Sequence, residues 1–123
     1  MNVFMTKWFA RFARRELIAN ESLLEAIARA EQGLIDADLG GGLIKQRVAR
    51  QGKGRSGGFR AIIAYRVKNR AVFLYGFAKS ERENIDTKQL ATAREIAEKW
   101  LAADANRIAR GIEKEELQEV SDD

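Results

Sequence analysis

The residues between Leu43 and Phe77 constrain the fold most strongly, because their hydrophobic pattern is that of consecutive β-strands. From Leu43 to Arg50, apolar or uncharged residues alternate with a mostly cationic set at a period of two, as in a strand that buries one face. Two more apolar segments, 59–67 and 71–77, follow after short turns. Strands joined by short turns pair antiparallel, so the sequence predicts a three-stranded meander.

The residues before the meander predict one short strand and two helices. Residues 2–5 fit the strand, and a helix is predicted from Trp8 to about Ile18. The apolar stripe expected to face the core comprises Trp8, Phe9, Phe12 and Ala13. Asn20 or Ser22 is expected to cap a second helix, which Gly33 ends, and a loop through three glycines then leads into the meander.

The residues after the meander predict one further helix and an acidic end. Asp86 or Thr87 is a suitable N-cap for the helix. Its inner stripe is expected to be Leu90, Ala93, Ala97, Trp100 and Leu101. The segment 105–123 is rich in Glu and is either a marginal helix or an acidic tail. We therefore predict an α+β fold with its helices on one face of an antiparallel sheet, a single domain over 1–104 and a C-terminal helix or tail over 105–123.

Composition restricts the possible chemistry. The chain has 123 residues and no cysteine or histidine, so disulfides and thiol chemistry are excluded, and a transition-metal site would rest on carboxylates alone. No metal and no cofactor are expected. No apolar run reaches the roughly 20 residues of a membrane-spanning helix, and no signal-peptide core is present. We expect a cytoplasmic protein that does not bind a membrane.

Charge is distributed very unevenly. Between Leu39 and Ser80 there are ten Lys or Arg residues and no Asp or Glu, although the whole chain contains 18 acids. The natural counter-ion of a rigid row of cations is a polyphosphate backbone, and the alternative is a solvated basic face. Six of the cations fall within sixteen residues, namely Lys45, Arg47, Arg50, Lys53, Arg55 and Arg60.

Two features of this acid-free window have alternative interpretations. The turn predicted at 51–58 is glycine-rich but precedes a strand, so it is not a nucleotide-binding loop that opens a helix. It is either a plain hairpin loop or a cationic tip in which Arg50, Lys53 and Arg55 contact an RNA backbone. The window also holds five aromatic residues, which either stack on RNA bases or pack in the core: Phe59, Tyr65, Phe73, Tyr75 and Phe77.

Three strings of residues resemble a known family. They are GGLIKQRVAR at 41–50, GKGRSGGFR at 52–60 and FLYGFAKSERENI at 73–85. They closely resemble toxins of bacterial type II toxin–antitoxin systems in the RelE/ParE superfamily, and the RelE/HigB-like branch is nearest. The resemblance implies a RelE-like fold and a metal-independent, ribosome-dependent endoribonuclease, an mRNA interferase that inhibits translation. Its implied partners are the ribosome, mRNA and a cognate antitoxin with which it forms a hetero-oligomer.

The resemblance also implies a set of site residues. Arg60 matches the arginine that contacts phosphate in the family, and its role would be to stabilise transition-state charge. Lys45 and Arg47 lie where relatives carry substrate-facing cations. Lys45 is the candidate general base, because a lysine crowded by other cations can have its pKa lowered.

The segment after the last strand adds further candidates. Lys79 and Arg82 lie where relatives bring a second arginine to the site, and Ser80 takes the position aligned with one such arginine. Asp86 is a candidate proton donor or base by resemblance, although the N-cap interpretation is the stronger one. Lys68 and Arg70, in the far turn, are expected to be docking or solvated charges.

Other functions remain open on the sequence alone. A ParE-like inhibitor of DNA gyrase would share the fold without needing clustered cations that face a substrate. A non-catalytic protein that binds RNA or an antitoxin is the third possibility. The dense cationic meander favours RNA cleavage among the three.

Overall fold

The computed structural model describes residues 1–50, 54–66, 69–78 and 86–121, with the main chain alone at 50 and 54–57. None of the helices in these ranges combines the length and apolarity needed to span a membrane. In chain order the elements are β1 (Asn2–Thr6), α1 (Lys7–Arg15), α2 (Asn20–Glu31), β2 (Ala37–Gly40), β3 (Leu43–Arg50), β4 (Gly54–Arg66), β5 (Arg70–Ala78), α3 (Thr87–Ala102), α4 (Ala105–Glu113) and β6 (Leu117–Glu119).

The strands form one mixed sheet in the order β2-β3-β4-β5-β1-β6. Strands β3, β4 and β5 pair antiparallel with their neighbours in the chain. Strand β1 pairs parallel with β5 and antiparallel with β6, so the prediction of a purely antiparallel sheet is wrong. Helices α1 and α2 connect β1 to β2, which lies at one edge of the sheet. Strands β3, β4 and β5 then follow side by side from β2, so that β5 is the neighbour of β1.

Two strands were not predicted. Strand β2 lies in the expected loop and forms a hairpin with β3, whose turn places Gly41 and Gly42 at φ +64° and +83°. The C-terminal segment forms helix α4 and then β6, which pairs with β1 at the edge of the sheet. Strands of three or four residues carry too few side chains for an alternating pattern, so only their pairing partners define them.

Helices cover both faces of the sheet, which corrects the prediction of a single covered face. Helices α1 and α2 pack on one face, and α3 packs on the other together with Ile108 of α4. The reason lies in β4, where the run from Ala61 to Ala64 is completely buried, with each residue at 0% exposure. A strand that is apolar on both faces needs cover on both.

Some of the predicted helix and strand ends are confirmed and others are wrong. Asp86 caps α3 in a capping box with Gln89, and Gly33 follows the end of α2 at φ +81°, both as predicted. The predicted cap of α2 is wrong, because Ala19 occupies the N-cap without a side-chain hydrogen bond while the Asn20 amide donates to the Ser121 carbonyl. Strand β4 begins at Gly54, so much of the predicted turn at 51–58 belongs to a strand.

Candidate functional site

Three of the predicted site cations meet around one carboxylate. Arg47 on β3 lies directly opposite Arg60 on β4, and Lys45 lies two residues from Arg47 on the same face of β3. All three approach Asp36. The Asp36 oxygens lie 3.3 Å from Arg47 Nε, 3.5 Å from Arg60 Nε and 3.6 Å from Lys45 Nζ. Among the residues that the structure describes, the Asp36 carboxylate is thus shared by three basic side chains.

We call Asp36, Lys45, Arg47 and Arg60 together the cationic cluster. Arg60 is its buried member. Its side chain is 6% exposed, whereas that of Arg47 is 48% exposed. The described partners of Arg60 are distant, with Nη1 3.5 Å from the Phe59 carbonyl and Nε 3.5 Å from Asp36. Charge-assisted hydrogen bonds are normally about 2.7–2.9 Å long, so both contacts of the guanidinium are long. A phosphate could form shorter, bidentate hydrogen bonds with the same guanidinium.

Asp36 is the site residue that the sequence interpretation missed. Its main-chain N–H donates to the Lys45 carbonyl at 3.1 Å, which ties the residue to β3 just before β2 begins. Asp36 lies outside the acid-free window and in a segment predicted to be a loop. No local pattern signals its role, because only the β2–β3 pairing brings it to the cations.

The opposite face of β3 is anchored by a buried amide. Gln46 is 1% exposed, and its Nε2 donates to the carbonyls of Ala26 and Leu34 at 2.9 Å each. Arg29 of α2 donates to the Arg47 carbonyl. These bonds attach the cation-bearing strand to α2 and to the segment that leads into Asp36. The cluster therefore rests on a rigid support, which favours preorganised electrostatics.

Most aromatic residues of the acid-free window belong to the core. Phe59, Phe73 and Phe77 are 1%, 0% and 7% exposed, so these three are not surfaces for RNA bases. Tyr65 and Tyr75 are half-buried. Burial raises the pKa of both phenols, and Glu31 raises that of Tyr65 further, so both hydroxyls stay protonated at neutral pH.

The remaining predicted site residues either have a structural contact elsewhere or lie outside the described residues. The Asp86 carboxylate accepts from the Gln89 N–H at 2.8 Å and so serves as an N-cap. Lys53, Lys79, Ser80 and Arg82 lie outside the described residues, as do the side chains of Arg50 and Arg55. Lys68 also lies outside them.

Arg70 has a structural role rather than the expected docking or solvated one. Its Nη1 donates to the carbonyls of Trp100 and Ala103 at 2.7 Å each. These carbonyls lie at the C-terminal end of α3, where a cation also complements the helix dipole. Arg70 therefore fastens α3 to the sheet.

Within the part of the chain that the structure describes, no three acidic side chains are grouped closely enough to hold a metal ion.

A family model described as the RelE toxin of the RelE/RelB toxin–antitoxin system matches residues 1–120. No curated protein matches the chain. The matched range includes α4 and β6 as well as the strands that carry the cationic cluster.

Proposed function

The chain belongs to the RelE toxin family, a membership that implies an antitoxin partner, and from this premise we propose that it is a ribosome-dependent mRNA endonuclease. It would act in the cytoplasm, cut messenger RNA on the ribosome and stop translation until the antitoxin binds it. The observation that carries the proposal is the cationic cluster, in which a buried arginine with only long contacts to its described partners lies beside two further cations.

The reaction class follows from what cations can do to RNA. The ribose 2′-oxygen loses its proton and attacks the adjacent phosphorus, the bond to the 5′-oxygen breaks, and that oxygen takes up a proton. The products are a 2′,3′-cyclic phosphate and a 5′-hydroxyl. The phosphate gains negative charge in the transition state, so fixed positive groups stabilise it more than they stabilise the bound message.

Each member of the cluster receives a role in this reaction. Arg60 stabilises the charge on the phosphate oxygens, and Arg47, which is more exposed, guides the backbone into position. Lys45 accepts the 2′-hydroxyl proton in its neutral amine form and becomes an ammonium group. Asp36 holds the three basic side chains together. Lys79 and Arg82 contribute cations after β5, while Arg50, Lys53 and Arg55 contact the RNA backbone at the hairpin tip. Asp86 remains a candidate proton donor in addition to its capping role.

The decisive experiment uses purified ribosomes programmed with a defined message, and primer extension to detect the cut. We expect cleavage at discrete positions with ribosomes and little with free message. Addition of the antitoxin is expected to abolish it. An uncut message, together with inhibition of DNA supercoiling by gyrase, would overturn the proposal in favour of a ParE-like activity.

A further inference from the structure

Trp8 is an exposed aromatic residue that the core does not use. It was predicted to face the core, yet it is 45% exposed, while α1 buries Phe9 and Phe12. Its ring lies against Tyr75 of β5, with centroids 6.3 Å apart and planes tilted by 35°. The position of Trp8 is fixed by Thr6, whose hydroxyl accepts from the Phe9 N–H at 3.2 Å and donates to the Leu74 carbonyl at 3.0 Å.

The Trp8–Tyr75 pair lies on the same face of the sheet as the cationic cluster. Phe77 is directly opposite Arg60, and Tyr75 is two residues from Phe77 along β5. Tyr75 and Phe77 pack on the α3 side of the sheet, and Trp8 lines a cavity on that side with Ile96 and Trp100 of α3. A continuous band therefore runs from Arg47 through Arg60 and Tyr75 to Trp8. It crosses three strand spacings, about 14 Å, which suits a single strand of nucleic acid laid across the sheet.

Lys7 lies over the exposed ring, and Lys99 lines the cavity beside it. Lys7 Nζ lies 5.6 Å from the centroid of the Trp8 ring. A cavity of about 110 Å³ beside it is lined by Lys7, Trp8, Ile96, Lys99, Trp100 and Glu116. Trp100 is only 3% exposed and has Lys99 and Arg107 over its ring, so Trp8 offers the accessible aromatic surface. An aromatic ring flanked by cations is the arrangement that binds single-stranded nucleic acid through stacking and backbone charge.

We propose that Trp8, supported by Tyr75, stacks on an unpaired base of the same RNA strand whose phosphate contacts Arg60. This inference rests on the proposed function, because it assigns the base next to the cleavage site a specific place on the protein. The subsite recognises the flat face of a base, so it selects for unpaired RNA rather than for one base. It gives the enzyme a second RNA contact on the same face of the sheet, beside β1 and three strand positions away from β3.

The test compares a labelled single-stranded RNA oligonucleotide with an abasic sugar–phosphate oligonucleotide of the same length and charge. Fluorescence anisotropy measures the binding of both to the wild type, Trp8→Ala and Trp8→Phe. We expect Trp8→Ala to weaken binding of the RNA by about 5- to 150-fold, the range for loss of one base–aromatic stack. Its affinity for the abasic strand is expected to stay at the wild-type value. Trp8→Phe keeps a ring and should bind the RNA nearly as the wild type does.

Several results would overturn this assignment. Equal losses on both oligonucleotides would show a charge or folding effect, and circular dichroism separates these two causes. The assignment would also be contradicted if Trp8→Ala bound the RNA as well as the wild type does, or if the wild type bound no RNA. It would likewise be contradicted if Trp8→Ala weakened binding to the antitoxin and left RNA binding unchanged. Primer extension on ribosomes with the same proteins tests the proposed function separately. If wild type cuts the message while Trp8 proves irrelevant, only the stacking subsite fails; if Trp8-dependent base binding occurs without cleavage, only the endonuclease proposal fails.

Discussion

Replacement of Asp36 by Asn should lower stability and strengthen RNA binding at the same time. The change removes a negative charge that lies 3.3–3.6 Å from three basic side chains and keeps the shape of the side chain. Loss of one partner from a fully buried ion pair costs about 3–5 kcal/mol, and an exposed pair contributes about 0–1 kcal/mol. The side chains of Arg60 and Lys45 are 6% and 15% exposed but their contacts with Asp36 are long, so we expect an intermediate loss of about 2 kcal/mol. For a chain of this size that lowers the Tm by roughly 6–10 °C.

The same substitution changes the electrostatics of RNA binding. A phosphate bound by Arg60 would be repelled by the Asp36 carboxylate, and two like charges a few ångströms apart repel each other by up to about 1 kcal/mol even at the dielectric constant of water. Asp36→Asn removes this repulsion, so affinity for single-stranded RNA should rise about threefold or more. If one more phosphate contact forms, the slope of log affinity against log salt steepens by about 0.7.

Thermal unfolding followed by circular dichroism and anisotropy titrations at two salt concentrations measure both effects. Asp38→Asn is the matched control, because it makes the same charge change two residues away. Asp38 is exposed and accepts a hydrogen bond from the Gly40 N–H at 2.9 Å. If Asp36→Asn kept the wild-type Tm and affinity, or if Asp38→Asn reproduced its effects, the cluster would not have the electrostatic role assigned to it.

Three further substitutions test other parts of the structure. Lys45→Arg keeps a positive charge, but arginine does not readily lose its proton to act as a base. RNA binding in anisotropy titrations should therefore persist, while single-turnover cleavage should fall at least about 100-fold. Cleavage at the wild-type rate would exclude Lys45 as the base. Gly76→Ala places a Cβ in steric overlap with the Phe12 ring, so urea unfolding should show a loss of about 1–3 kcal/mol in unfolding free energy, and an unchanged midpoint would contradict the packing of α1 on β5. Asp86→Ala removes the cap of α3 and should cost about 1 kcal/mol, whereas Asp86→Asn retains the acceptor; if both stop cleavage in folded protein, Asp86 takes part in the chemistry.

The local patterns of the sequence were sufficient for elements that depend on their own residues. Strand β3 has the predicted bounds, and within it Ile44, Gln46 and Val48 alternate with Lys45, Arg47 and Ala49. The capping box of Asp86 and Gln89 is likewise a local motif, and it marks the start of α3. The same alternation brought Lys45 and Arg47 to one face, and the register with β4 then added Arg60.

Features that depend on distant contacts were not predictable in this way. Strands β2 and β6 have four and three residues and exist through their partners β3 and β1. Asp36 joins the cluster only because β2 pairs with β3. Trp8 fits the period of an apolar stripe, yet α1 begins at Lys7 and rests on the sheet through Phe9 and Phe12, which leaves the indole exposed. Periodicity identifies a helix face, whereas the chain before the helix sets how it is rotated on the sheet.

The role of Arg60 in cleavage is the central claim, and single-turnover cleavage of a ribosome-bound message tests it most directly. The proteins to compare are wild type, Arg60→Lys, Arg60→Ala and the control Arg66→Ala, which removes a charge from the exposed end of the same strand. Both Arg60 variants should remain folded and bind the antitoxin while cleaving about 100- to 1,000-fold more slowly, the effect of losing one preorganised donor to a transition-state oxyanion. Arg66→Ala should cleave at the wild-type rate. Wild-type cleavage by folded Arg60→Ala would contradict the claim.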